Sequence, residues 1–166
     1  MSNLKILGID PGYDIVGWSI LSNNFKVDDY GVIKTSPTDE FDDRLLQIFT
    51  SLNKILDEYK PDCAAIEKIF FHKNTKTAIP VAKAVGVIIL TLKLRGIPYW
   101  EYSPIEVKHS ITGYGRASKD QIYYMMKRIL NLKTVEWQDD AIDALSIAVC
   151  HQLKNKKLKK QTTIHT

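Results

Sequence analysis

The spacing of apolar residues changes several times along the chain, and each change marks a predicted element. Leu4 to Ile9 is almost continuously apolar, as a strand covered on both faces must be. Asp10-Pro11-Gly12 ends it, because proline donates no ladder hydrogen bond and glycine favours a turn. Val16 to Leu21 and Phe25 to Ile33 read as two more strands around the turn-forming Ser22-Asn23-Asn24, so the first third is predicted to be an antiparallel meander. From Thr38 to Tyr59 the period becomes helical, with Phe41, Leu45, Ile48, Leu52, Ile55 and Leu56 on one face up to Pro61. Cys63 to Ile66 is a short buried strand that stops at Glu67, Thr77 to Leu94 a helix closed by Gly96, and Ile97 to Tyr102 another strand. Three helical stretches follow, near Pro104 to Ile111, Ser118 to Leu130 and Asp139 to Leu153. Beyond them the apolar period is lost, which predicts a basic, disordered tail over 154–166. The order of elements predicts one α/β domain over residues 1–153, a five-stranded mixed sheet flanked by helices.

Composition narrows the class. A chain of 166 residues suits a single core, and 45% hydrophobic with 25% charged residues is the balance of a folded globular domain. Cys63 and Cys150 lie inside apolar runs, which predicts buried, reduced thiols and no zinc site. No signal-peptide pattern or membrane-length apolar run is present, so a cytoplasmic protein without membrane association is expected. The net charge of +4 is unevenly spread: Lys68 to Lys76, Lys108 to Arg128 and Lys154 to Lys160 are basic, whereas Asp28 to Asp43 is acidic. A polyanion would therefore meet one side of the molecule, although a solvated surface accounts for the same charges.

The carboxylates carry the candidate chemistry. Asp10 and Glu67 end two predicted strands, and strand ends are where open α/β sheets bind ligands. Asp140 and Asp143, three apart on a predicted helix, share a face about 4.5 Å apart along the axis. Taken singly, each has a plainer role. Asp10 could open the Pro-Gly turn, Glu67 could be solvated, and Asp139 with Asp140 could complement the helix dipole. Asp143 sits beside the apolar run Ala144 to Cys150, where a buried carboxylate needs a partner. Hard oxygen donors suit Mg²⁺ or Mn²⁺, and two such ions could activate a water and stabilise the leaving oxygen of a phosphodiester. His72, His109, His151 and His165 are scattered and form no catalytic constellation.

Five segments in order then resemble the RuvC family of Holliday-junction resolvases. They are Gly8-Ile9-Asp10-Pro11-Gly12, Ala65-Ile66-Glu67-Lys68-Ile69-Phe70-Phe71 with Asn74, Val107-Lys108, Thr112 to Lys119, and Asp139 to Leu145. The resemblance implies a ribonuclease H-like fold, a homodimer, and symmetric paired nicking of four-way-junction DNA in recombination and repair. It implies an acidic quartet of Asp10, Glu67, Asp140 and Asp143 holding two Mg²⁺ or Mn²⁺ ions per site. It places Phe70, Phe71, Lys73, Asn74, Lys108, Arg116 and Lys119 against DNA, and it implies RuvA and RuvB, the branch-migration complex, as partners. Aromatic faces stack on splayed bases and ammonium groups neutralise phosphates, which agrees with those roles. The chain departs from the family pattern at Val16, at Lys83 and Val85, and by Pro80 upstream of them. The Asp10 turn also fits the phosphate hairpin of actin-like and sugar-kinase ATPases, but the second glycine-rich hairpin of that fold is not found.

Overall fold

Five strands order as β3-β2-β1-β4-β5 in one sheet of the computed structural model, which describes residues 4–69, 75–131 and 139–162, and side chains within them except those of 75–77 and 156–162. Strand β1 (Ile6–Asp10) pairs antiparallel with β2 (Ile15–Ser22), and β2 pairs antiparallel with β3 (Lys26–Lys34). On its other edge β1 runs parallel to β4 (Cys63–Glu67), and β4 runs parallel to β5 (Tyr99–Tyr102). Helices α1 (Phe41–Tyr59) and α2 (Thr75–Leu94) cover one face. The other face carries α3 (Pro104–Thr112), α4 (Lys119–Ile129) and α5 (Asp139–Thr162). This is the mixed, helix-flanked sheet that the sequence predicts.

Side chains alternate across a strand, and that alternation builds two cores. Leu7, Ile9, Val16, Ile20, Ala64 and Ile66 pack against Ile48, Leu52, Leu56, Ile88 and Leu92 of α1 and α2. Ile6, Leu21, Cys63, Ala65 and Tyr102 face the opposite way, onto Val107, Ile122, Met126, Leu145 and Ala148. Both cysteines are free and buried, as expected. His151 is a core residue: its Nδ1 lies 2.7 Å from the Tyr102 hydroxyl and its Nε2 lies 2.8 Å from Asn155 Nδ2, while burial lowers its pKa. Among the described residues no helix is long and apolar enough to cross a membrane.

Three boundaries differ from expectation for physical reasons. Asn23–Phe25 is a 3-10 turn with Asn24 and Phe25 at positive φ, so β3 begins at Lys26 rather than Phe25. Strand β5 begins after Pro98, which has no N–H for the ladder. Helix α5 continues to Thr162, where an irregular tail was expected from Lys154. The stretch after Leu153 has no apolar period, but it contains no Gly or Pro to stop a helix and is rich in the good helix former Lys. The Lys154 ammonium also ties α5 to Glu106 of α3 at 2.7 Å.

Candidate active site

Asp10 and Glu67 close two adjacent parallel strands. The register pairs Ile6 with Cys63 and Ile9 with Ile66; one further step sets Asp10 beside Glu67. Strand alternation puts Asp10 on the same sheet face as Ile6 and Gly8, and Glu67 on the same face as Cys63 and Ala65. That face is covered by α5, whose first two turns carry Asp140 and Asp143.

Two glycines set how close α5 comes. A Cβ at Gly8 would overlap the Ala144 carbonyl oxygen and stand 3.0 Å from Ala148 Cβ; one at Gly17 would overlap the Asp140 carbonyl oxygen and stand 3.4 Å from Asp10 Cβ. Asp140, Ala144 and Ala148 lie on one stripe of α5, each four residues from the next, so the stripe lies directly on the strands at these bare positions. On this same helix-covered face, Asp10 pairs in register with Gly17. The turn after Asp10 is held from α1, where buried Arg44 bonds to Asp14, donates to Thr35 Oγ1 at 2.9 Å and lies 3.7 Å over the Tyr13 ring. Neither the glycine contacts nor Arg44 was singled out from sequence. An isolated glycine inside a strand pattern signals a close backbone approach and was the available clue.

Burial and neighbouring acids act on these carboxyls together. Burial, then Glu67, Asp143 and Asp140, push the Asp10 carboxyl up to about 8, against the pull of Lys119. Glu67 is raised by burial and by Asp143, with Lys108 opposing. Asp143 is raised by burial and by Asp140 and Asp139, while Lys119 and Lys108 oppose. Lys108 of α3 and Lys119 of α4 are thus the cations of the acidic cluster. Lys119 Nζ also lies 3.7 Å from Asp139, but both side chains are 80% exposed, and such a pair fixes little.

Beside the acids opens a cleft of about 350 Å³ lined by Glu67, Lys108, Lys119, Asp143 and the apolar Val107 and Ile142. Ser146, buried one turn beyond Asp143, lines its floor. Arg116 is exposed in the loop between α3 and α4. Phe70, Phe71, Lys73 and Asn74 lie outside the described residues.

Four carboxyls within electrostatic reach, three of them with raised pKa, form a hard-donor set whose mutual repulsion a divalent cation would relieve. As they stand, no three His, Cys, Asp or Glu side chains among the described residues converge tightly enough to hold an ion.

Comparison with known proteins shows which family the chain resembles. Residues 6–151 match the family described as crossover junction endodeoxyribonuclease RuvC. A relative of that description from Petrotoga mobilis is 49% identical over 151 residues, covering 89% of this chain and 93% of its own. One from Caldicellulosiruptor saccharolyticus is 46% identical over 162 residues, covering 95% and 98%. Among solved structures, T. thermophilus RuvC in complex with Holliday junction substrate superposes with a TM-score of 0.87 at 28% identity, over 93% of this chain and 96% of that one.

Proposed function

The chain belongs to the RuvC family of crossover junction endodeoxyribonucleases, and we propose that it resolves Holliday junctions by nicking two opposed strands symmetrically at the site formed by Asp10, Glu67, Asp140 and Asp143. The observation that carries this reading is the gathering of Asp10, Glu67 and Asp143 from three separate elements, each with its carboxyl pKa raised first by burial and then by a neighbouring acid, at the edge of a cleft flanked by two lysines. In this proposal the four acids hold two Mg²⁺ or Mn²⁺ ions, which when bound would supply a water of lowered pKa and charge stabilisation at the leaving oxygen. Lys108 and Lys119 neutralise the phosphate that approaches the acids. Ile142 and Val107 wall off water on the cleft side, and Arg116 with Phe70, Phe71, Lys73 and Asn74 grips the DNA around it.

The test is cleavage of a synthetic four-way junction with Mg²⁺. Paired nicks at symmetric positions are expected; binding with no metal-dependent cleavage would leave only a structure-selective binding protein. Lys108→Ala and Lys119→Ala should each lower turnover by roughly tenfold or more, the scale of a lost charge-assisted contact. Parent-like rates in both variants would remove these lysines from the site.

Symmetric nicking calls for two copies, and we place their contact on α2. Ile79, Leu90 and Leu94 are 63%, 56% and 69% exposed and recur at helical spacing with Gly86, where an added Cβ would meet nothing. Leu46 and Phe49 of the adjoining α1 are exposed as well. A stripe of this kind is covered in an isologous dimer. Leu90→Glu should turn the dimer into a monomer in sedimentation equilibrium, and a parent-like mass would move the contact elsewhere. Supply of junctions by RuvA and RuvB, a cytoplasmic location and a single catalytic domain over 1–153 complete the proposal.

A further inference from the structure

Outside the acidic site, the described residues form a groove of about 380 Å³ lined by Thr112, Tyr114, Asp120, Gln121, Tyr124 and Met125. Tyr114, on the loop after α3, and Tyr124, on α4, are each 57% exposed. Burying aromatic rings is favourable, so two large rings left open around one groove are an unusual use of surface.

The backbone that carries both rings is held in place. Gly113 takes φ 78°, which turns the chain sharply out of α3. The Tyr114 amide then donates to Thr112 Oγ1 at 3.1 Å, and the Tyr114 carbonyl accepts from the Ala117 amide at 3.2 Å. Ser118 caps α4 through a reciprocal box with Gln121, which fixes the start of the helix that presents Tyr124. One turn on, the Arg128 guanidinium lies 5.2 Å over the Tyr124 ring, and Lys127 lies 4.8 Å over Tyr123. Each ring on α4 therefore comes with a cation beside it. Arg116 adds an exposed charge two residues from Tyr114.

The groove adjoins the site already described. Asp120 lines both the groove and the acidic cleft, and Lys119 and Tyr123 line the cleft from the same helix. From Lys119 to Tyr124 is five residues of helix, about 7.5 Å of rise and about two nucleotide steps along one strand of duplex.

We propose that Tyr114 and Tyr124 form a stacking platform for an unpaired nucleobase of the DNA strand that runs from the acidic cleft over α4, with Arg128, Lys127 and Arg116 taking its phosphates. The inference rests on the nuclease reading for its substrate and for Arg116, but assigns Tyr114, Tyr124, Lys127 and Arg128, which that reading does not use. A π face accepts any base, and adjacent cations hold the backbone, so the platform is tolerant of sequence and sensitive to salt. A protein partner is the other occupant for exposed tyrosines. Asp120 is the one charged residue in the groove's lining, but Arg128 stands over Tyr124 at its edge, and Lys119 and Lys127 stand on the cleft side of the same helix, which favours the polyanion.

Binding of a short oligothymidylate and of a four-way junction by full-length protein, followed at two salt concentrations, tests this. Tyr114→Ala and Tyr124→Ala should each weaken oligothymidylate binding roughly 5- to 100-fold. Tyr114→Phe and Tyr124→Phe should bind as the parent does, because stacking needs the ring and not the hydroxyl. Tyr124→Leu, which keeps apolar area without a π face, should behave like the alanine variant. Unchanged melting temperatures would show that the losses are not unfolding. Alanine variants that bind the oligonucleotide within twofold of the parent overturn the platform. If those variants still nick the junction, the nuclease reading survives that failure; if the parent neither binds nor nicks it, both fall.

Discussion

Asp10→Asn is expected to bring junction cleavage down by about 1000-fold or more while raising the melting temperature of the metal-free protein. Both effects follow from one position. Asp10 ends the central strand and has its carboxyl pushed up to about 8, chiefly by burial and then by Glu67, Asp143 and Asp140. In the unfolded chain the same group titrates near 3.8. Between these values the folded protein retains a proton that the unfolded chain releases, so stability falls as pH rises from about 4 to about 8. The asparagine variant is relieved of that loss. Its advantage should be absent near pH 3, grow through neutrality and level off above pH 8. A gain of about 2 kcal/mol there corresponds to roughly 4–8 °C in a chain of this size. In saturating Mg²⁺ the order should reverse, because ligand that binds only the folded state stabilises by mass action and the variant lacks a donor. Melting in chelator and in Mg²⁺ across this pH range checks each part. A variant that melts lower than the parent in chelator at pH 8 would show that Asp10 is not under repulsion, and one that cleaves at the parent rate would remove it from the chemistry.

The same carboxylates mark how far the chain can be read without coordinates. Asp10 and Glu67 were placed at strand ends by where apolar runs stop, and the sheet order then makes those ends neighbours. Asp140 and Asp143 were placed on one helix face by spacing alone. What spacing does not carry is the distance between layers. Whether α5 lies close to the sheet depends on side chains that are missing, at Gly8 and Gly17, and on backbone atoms meeting across chain separations of more than a hundred residues. The left-handed Phe25 was equally illegible, since aromatic residues seldom adopt positive φ and nothing local announced it. Tyr114 and Tyr124 look like ordinary loop and helix residues until the turn at Gly113 and the capped start of α4 bring them to one groove.

Gly17→Ala tests the claim that the layer distance itself is catalytic. Alanine in a strand ordinarily does no harm, and losing a glycine restricts the unfolded chain in favour of folding. At this position the new methyl would overlap the Asp140 carbonyl oxygen and lie 2.8 Å from the Asp140 carbonyl carbon. These are backbone atoms of a helix, which no rotamer change can move aside. Strand β2 is held on both edges, with Gly17 registered against Asp10 on one side and Val32 on the other. The helix must therefore yield, and its first turns rise from the sheet with Asp140 and Asp143 on them. Overpacking of this kind costs about 1–3 kcal/mol, so the melting temperature should fall by roughly 2–12 °C. The larger effect is on rate. Displacing two of four carboxyls by about 1 Å costs on the order of 100-fold in turnover. Junction affinity should stay within about threefold, because Lys108 and Lys119 are carried by α3 and α4 rather than by α5. Single-turnover cleavage with bound junction separates the two quantities. Parent-like cleavage with an unchanged or raised melting temperature would mean that α5 has room to spare above Gly17, and the four acids would then owe their meeting to something other than this contact.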